Sequence, residues 1–269
     1  MSISDIFDLF LEDDKIVNKE EWEDRIKEWF LLLSYRVNRF KEFYPFQITK
    51  KTINLKKTIT KKHKLYIYLL LLSLQKYLKK DKNILTSEFE YLSKVLLNNY
   101  LCNSEIYNFG KSMIYTEFNG SLKDKVDKLS YKLGYSTKYK EKDIKNNNGD
   151  GGLDIIAWTP FKNDKNLFNI QMFLCQCATG KEWFKKSYDI DRFTSNFIIF
   201  ETIVIPTLII PYDIRDFDND FYSKVDIKTE IILIDRIRLL SLIKDENIIN
   251  ELKSKNIIDN IIQYEEDIV

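Results

Sequence analysis

Histidine occurs once in this 269-residue chain, at His63, and that scarcity excludes more chemistry than any other feature of the composition. Ser-His-Asp and Cys-His hydrolysis, histidine-rich metal nucleases and His-ligated zinc each place imidazole beside other groups. His63 lies in KKTITKKHKLYIY with no acid nearby, so a solvated residue near a helix start is expected there. Cysteine is scarce too: Cys102, Cys175 and Cys177 are too few, and odd in number, for a disulfide framework. Two further ligands for a Cys175/Cys177 zinc site are missing, since only Cys102 and His63 remain, and both cysteines read as small buried hydrophobes. Seven glycines and four prolines exclude a collagenous, low-complexity or turn-rich all-β chain. No charge excess is present: 42 basic residues face 41 acidic ones, net +1, so any nucleic-acid contact must come from local patches. No long apolar run is present either. The longest, Leu65 to Leu74, is half of the roughly 20 residues a bilayer needs and reads as a buried helix. No charged-then-apolar signal segment opens the chain, so a cytoplasmic protein with no membrane association is expected.

What is present is apolar and aromatic surface, 44% and 14% of residues, enough for one large or two modest cores. Residues 1–115 read as an all-α domain. After Asn18, with Glu21 completing a capping box, Trp22, Ile26, Trp29, Leu33, Val37 and Phe40 recur every three or four residues as far as Pro45. A second helix is expected over about Lys64 to Lys80, and a third from Ser87, with Glu90 as its box partner. Between the first two lies the most basic stretch of the chain, Lys50, Lys51, Lys56, Lys57, Lys61, Lys62 and Lys64. It is read either as a phosphate-contacting patch or as a solvated loop.

Residues 116–269 change pattern. Ser121 caps a helix with Leu122, Val126, Leu129 and Leu133 on one face, and Gly134 ends it. Short isoleucine-rich runs then read as strands: Leu153 to Trp158, Met172 to Ala178, Phe197 to Pro206 and Ile231 to Ile234. A helical segment around Trp183 and another over Arg236 to Ile243 intervene, and Asp245 to Val269 forms a helical tail. The expected class is α/β, mixed α+β, with a largely buried sheet flanked by helices.

One constellation in this half can carry chemistry. In GDGGLDIIAW, two acids and three glycines, Gly149 to Asp154, run directly into an apolar strand. Glycines allow tight bends and close approach, whereas an aspartate at a strand's start is costly to bury without a partner. On the strand FLCQCATGKEW, Gln176 and Ala178 share one face and the cysteines the other. If the two strands pair, the Asp154 carboxylate, the Gln176 amide oxygen and the Cys177 carbonyl converge as an oxygen site suited to Mg²⁺ or Mn²⁺. Each has an ordinary alternative: Asp154 as a turn cap, Gln176 as an amide satisfied by main chain, the nearby lysines as solvated helix charges. Trp158 and Trp183 read as core residues rather than as base-stacking platforms.

GDGGLDIIAW followed by a strand ending QCATG resembles the core of the restriction endonuclease-like nucleases, the PD-(D/E)xK superfamily, and within it the Mrr-like branch. That branch shows a Leu-Gly-Tyr-type helix end, here YKLGYS at Tyr131 to Ser136, then Gly-x-Asp and Gln-x-Lys on successive strands. IILIDRIRLLSLI is similar to the strand and helix that close such domains. The resemblance covers roughly Asn119 to Ile243. It implies a Mg²⁺-dependent endonuclease with DNA as the expected substrate, in bacterial restriction or anti-phage defence, with Asp154 and Gln176 at its centre and Asp150 as a further ligand. It also implies an acid from the preceding helix, for which Glu117, Asp124 and Asp127 are candidates. The chain departs from the family at the third motif, where Ala178 replaces the lysine that orients the attacking water. Lys186 and Lys181 are the candidates to replace it. The departure leaves open an inactive nuclease-like subunit that binds nucleic acid or docks a partner. The helical half suggests recruitment by a larger ATPase or helicase, and a homo-oligomer remains open.

Overall fold

The computed structural model describes residues 19–49, 52–75, 78, 80–110, 116–145, 149, 151–222 and 228–263. It is a mixed α+β structure in two compact units, residues 1–85, 211–223 and 235–269 in the first and 86–210 and 224–234 in the second. The division does not follow the boundary expected near residue 115. Residues 86–110 belong with the sheet, and the helical tail returns to the N-terminal unit.

The first unit begins with α1 (Lys19–Phe40), which a 3₁₀ turn, Lys41–Phe43, ends before Pro45. The expected cap at Asn18 lies outside the described residues. Two short strands missed in the sequence flank part of the basic stretch: β1 (Phe46–Ile48) and β2 (Ile53–Leu55) pair antiparallel, Phe46 opposite Leu55, while Lys56 and Lys57 follow at a bend. Phe46, Ile48, Ile53 and Leu55 supply the β-propensity, too short a run to be told from loop by pattern alone. α2 (Lys61–Ser73) starts three residues earlier than expected, because Thr60 and His63 form a capping box. The His63 Nδ1 accepts from the Thr60 N–H at 3.1 Å. His63 is therefore buried, and burial first, then nearby Lys56, lowers its pKa. The unit's core gathers Leu33, Phe40, Tyr44, Tyr66, Leu69 and Leu72 with Leu239 of α7 (Arg236–Ser241) and Ile249 and Ile258 from the tail. The tail is a 3₁₀ segment, Glu246–Glu251, and a short helix, Lys255–Gln263.

In the second unit, α3 (Lys82–Tyr100) runs through Ser87, so the expected cap there is interior and Glu90 projects from mid-helix. A strand that the sequence reading missed follows, β3 (Glu105–Asn108), whose four residues opened one edge of a five-stranded sheet. α4 (Leu122–Leu133) has the predicted architecture: Ser121 and Asp124 form the capping box, and Gly134 sits at φ +73° as the stop. A short helix, α5 (Glu141–Lys145), precedes β4 (Ile155–Trp158) and β5 (Gln171–Cys177). A 3₁₀ turn, Trp183–Lys186, leads into α6 (Ser187–Asn196), then β6 (Ile203–Ile209) and β7 (Ile232–Ile234). The third strand thus starts later than expected, because Phe197 and Ile198 enter the core from the end of α6.

The sheet order is β3-β4-β5-β6-β7, antiparallel over the first three strands and parallel over the last three. Ile155 stands opposite Cys175, and Gln176 beside Leu208. One face carries Ile156, Trp158, Met172 and Leu174 against Val126 and Leu129 of α4 and Ile190 and Phe193 of α6. Each fully buried side chain of this kind contributes roughly 1.5–3 kcal/mol, so α4 and α6 are held chiefly by this face. Among the described residues no helix is long and apolar enough to cross a membrane.

Candidate metal centre

The site forms where β4 begins and β5 ends. Gly151 and Gly152, at φ +64° and +90°, bring the chain onto β4 under α6; a Cβ on Gly152 would meet that of Asp189 at 2.6 Å. The turn delivers Asp154, 4% exposed, opposite the end of β5. Its N–H donates to the Cys175 carbonyl at 3.0 Å, and its own carbonyl accepts from the N–H groups of Phe109 and Gly110 at 2.7 and 3.0 Å. Its main chain is thereby pinned on both sides.

The side chain of Asp154 meets Gln176 as the strand pattern predicted. Oδ2 accepts from Gln176 Nε2 at 2.5 Å and from the Cys177 N–H at 2.7 Å. Cys177 thus meets the acid through its main-chain N–H rather than, as expected, through its carbonyl. Gln176 is 6% exposed, and its Oε1 receives no hydrogen bond. A half-turn of the amide would exchange its nitrogen and oxygen at the same place, so the group suits either a carboxylate partner or a cation.

A second acid near Asp154 comes from a helix: Glu90 of α3, expected from the sequence to complete a cap. Gly110 shows its place: a Cβ there would lie 2.4 Å from Glu90 Oε2 and 3.2 Å from Asp154 Oδ1. Two carboxylates therefore flank the bare Cα of Gly110. Both also act on the Cys177 thiol, whose pKa is pushed up by burial first and then by the charges of Asp154 and Glu90. Burial likewise pushes the Cys175 thiol up to about 12. Cys175 is buried as expected, whereas Cys177 is only half-buried.

The three predicted acids serve elsewhere. Glu117 pairs with Lys94 and accepts the Asn108 N–H at 2.8 Å. Asp124 holds the α4 cap, and its hydrogen bond from the Ser121 hydroxyl lowers its pKa. Asp127 takes Lys123 and the Tyr139 hydroxyl, each at 2.6 Å. Of the lysine candidates, Lys186 is exposed and pairs with Asp189 of α6 at 3.0 Å, and Lys181 lies exposed in the turn after β5. Ala178 is buried, its N–H donating to Ile209 at 2.8 Å. The buried cation beside the site is Lys125 of α4, 5% exposed, donating to the carbonyls of Phe109 and Gly110 at 3.1 and 2.8 Å. Neither Glu90 nor Lys125 carries a sequence signal beyond interrupting an apolar helical face.

Asp150, Lys50 and Lys51 lie outside the described residues. Of the other lysines proposed to bind nucleic acid, Lys61 bonds to Asn247, and Lys62 pairs with Glu42 at 3.4 Å while lying over the Phe43 ring. Lys57 is exposed and Lys56 half-buried. Trp158 is core, stacked on Tyr107 at 5.0 Å, while Trp183 is only half-buried.

Among the described residues no three side chains drawn from His, Cys, Asp and Glu are grouped to hold an ion. The donor set is instead mixed: two carboxylates and an amide oxygen that has no donor of its own. Hard oxygens of this kind fit Mg²⁺ or Mn²⁺, which keep several water ligands and take few from protein. Compared with protein-family models, curated proteins and solved structures, the chain matches none.

Proposed function

We propose that the chain is a metal-dependent nuclease of the restriction endonuclease-like kind, hydrolysing phosphodiester bonds of DNA at the Asp154 centre. The observation that carries this reading is the meeting of Asp154, Gln176 and Glu90 at one end of the sheet, with the Gln176 oxygen buried and undonated. Asp154, Glu90 and Gln176 would hold Mg²⁺ or Mn²⁺. The ion would supply a bound water of lowered pKa and charge stabilisation at the leaving oxygen. The chain's own contribution is placement: the Gly110 and Asp154 main chains fix the carboxylates, and Cys177 and Gln176 orient Asp154 Oδ2. Exposed Lys57 and half-buried Lys56 are the remaining described candidates for phosphate contacts from the basic hairpin. Restriction or anti-phage defence is the setting the resemblance suggests.

A second reading is favoured by Ala178 and by the pairing of Lys186 with Asp189: a nuclease-like subunit that binds nucleic acid or a partner without cutting it. Incubating plasmid with the full chain and Mg²⁺ or Mn²⁺, beside Asp154→Asn, separates the two. Cleavage lost in the variant supports the enzyme; equal activity in both proteins refutes the site.

A further inference from the structure

We infer that Lys125 positions the divalent-cation site, an assignment that rests on the metal-dependent reading above. A buried ammonium is costly unless its donors are used. Lys125 places its own on the carbonyls of Phe109 and Gly110, at 3.1 and 2.8 Å, and lies 5.7 Å from the Phe109 ring centre. The N–H groups of those same two residues grip the Asp154 carbonyl from the other side, at 2.7 and 3.0 Å. The Glu90 and Asp154 carboxylates both approach the bare Cα of Gly110. One side chain thus holds the two-residue segment that grips the Asp154 main chain and lies against both acids. Other lysines of α4 do nothing comparable: Lys123 makes an exposed pair with Asp127, Lys128 reaches the Asn119 carbonyl at the surface, and Lys132 lies over the Tyr107 ring.

Removing a group that orients metal ligands from behind typically costs 10–100-fold in metal affinity. The sign of the change is diagnostic. A lysine acting only through its charge repels a neighbouring cation, so deleting it would tighten binding; a lysine acting through its donors holds the ligands, so deleting it weakens binding.

The test is calorimetric titration of the full chain with Mn²⁺ alone. Wild type is expected to bind, Asp154→Asn to lose binding, Lys125→Met to bind about tenfold more weakly or worse, and Lys125→Arg to recover most of the loss. Leu129→Ala, a core truncation on the same helix, should lower the melting temperature and leave affinity unchanged. Should Lys125→Met not fold, Lys125→Gln, which keeps a neutral donor one atom shorter, is expected to weaken binding in the same direction. Unchanged or tighter binding in the Lys125 variants overturns the inference while leaving the metal site standing, as does an equal loss in Leu129→Ala. A wild type that binds no Mn²⁺ overturns both the site and the role of Lys125.

Discussion

Replacing Gly110 by alanine adds one methyl group at the point where the two carboxylates approach. Its φ is not in the left-handed region, so the backbone accepts alanine without strain and the whole effect is steric. The new Cβ would stand 2.4 Å from Glu90 Oε2, 3.0 Å from Glu90 Cδ and 3.2 Å from Asp154 Oδ1. Gly110 cannot retreat easily, because its N–H is bonded to Asp154 and its carbonyl to Lys125. The Glu90 carboxylate must therefore move, by roughly 1 Å to restore ordinary van der Waals contact, and because it ends a flexible, half-buried side chain the cost lies at the low end for overpacking, about 1 kcal/mol. Urea denaturation should show that loss, and Mn²⁺ titration should show affinity reduced at least about tenfold as the donors are driven apart. Two glycines serve as controls. Gly134→Ala meets nothing within 4 Å but sits at φ +73°, so it should lose about 1–2 kcal/mol from backbone strain alone and keep Mn²⁺ affinity. Gly180→Ala faces open space and should change neither. A Gly110→Ala protein with wild-type stability and Mn²⁺ affinity would refute the placement of Glu90 beside Asp154.

Asp154→Asn keeps an acceptor for the Cys177 N–H and should fold while losing Mn²⁺, whereas Asp154→Ala leaves the buried donors of Cys177 and Gln176 without an acceptor and should cost about 1–3 kcal/mol in addition; thermal melts of the two side by side check this, and equal melting temperatures would contradict it. At pH 8 a chromogenic thiol reagent should label exposed Cys102 quickly and Cys175 only on unfolding, since the Cys175 thiol is held neutral up to about pH 12 by burial. The linkage has a definite sign: an unfolded thiol ionises near 9.0, so the stability from the neutral buried form is intact below that pH and fades as pH rises toward about 12. A flat unfolding midpoint from pH 8 to 11 would count against it. Asp213→Ala removes the partner of Arg36 at 2.9 Å and of Arg39 at 3.2 Å, with side chains 3% and 0% exposed in the closer pair, and should cost about 3–5 kcal/mol by denaturant unfolding. A loss under about 1 kcal/mol would show that the arginines find other acceptors.

Local signals were the legible ones. The Ser121 box, the four-three-four apolar spacing and Gly134 set α4 with neighbours a few residues away, and the structure carries all three. The facing of Asp154 and Gln176 was legible because strand alternation and a short apolar run leave few registers. Glu90 was misread for a physical reason: Ser87 and Glu90 fit a capping pattern, but Leu85 and Phe89 pack well enough to carry α3 back to Lys82, and packing overrode the cap. β3 is four residues long, too short for a periodic signal, and exists because β4 offers it a partner. Lys125 was invisible for a different reason, since no local pattern marks it. Its burial is decided by the Phe109–Gly110 carbonyls, 15 and 16 residues away in sequence.

Buried charge by itself does not mark a site, and this chain carries the comparison within it. Arg236, fully buried in the helical unit, donates Nε to the Pro211 carbonyl, Nη1 to the Tyr66 hydroxyl and Nη2 to Ser73, tying three segments together. Each nitrogen has a protein acceptor, so that network explains itself as structure. At the sheet's end the donors are also spoken for, on Asp154 and on the Phe109–Gly110 carbonyls, yet the Gln176 oxygen beside them is left without one. A leucine or methionine of similar volume at 176 would avoid that cost, of the order of 1–3 kcal/mol, but would take the Nε2 donor away from the buried Asp154 carboxylate. In the proposed function, a hard divalent cation taking electron pairs from Asp154, Glu90 and Gln176 would satisfy that oxygen as well.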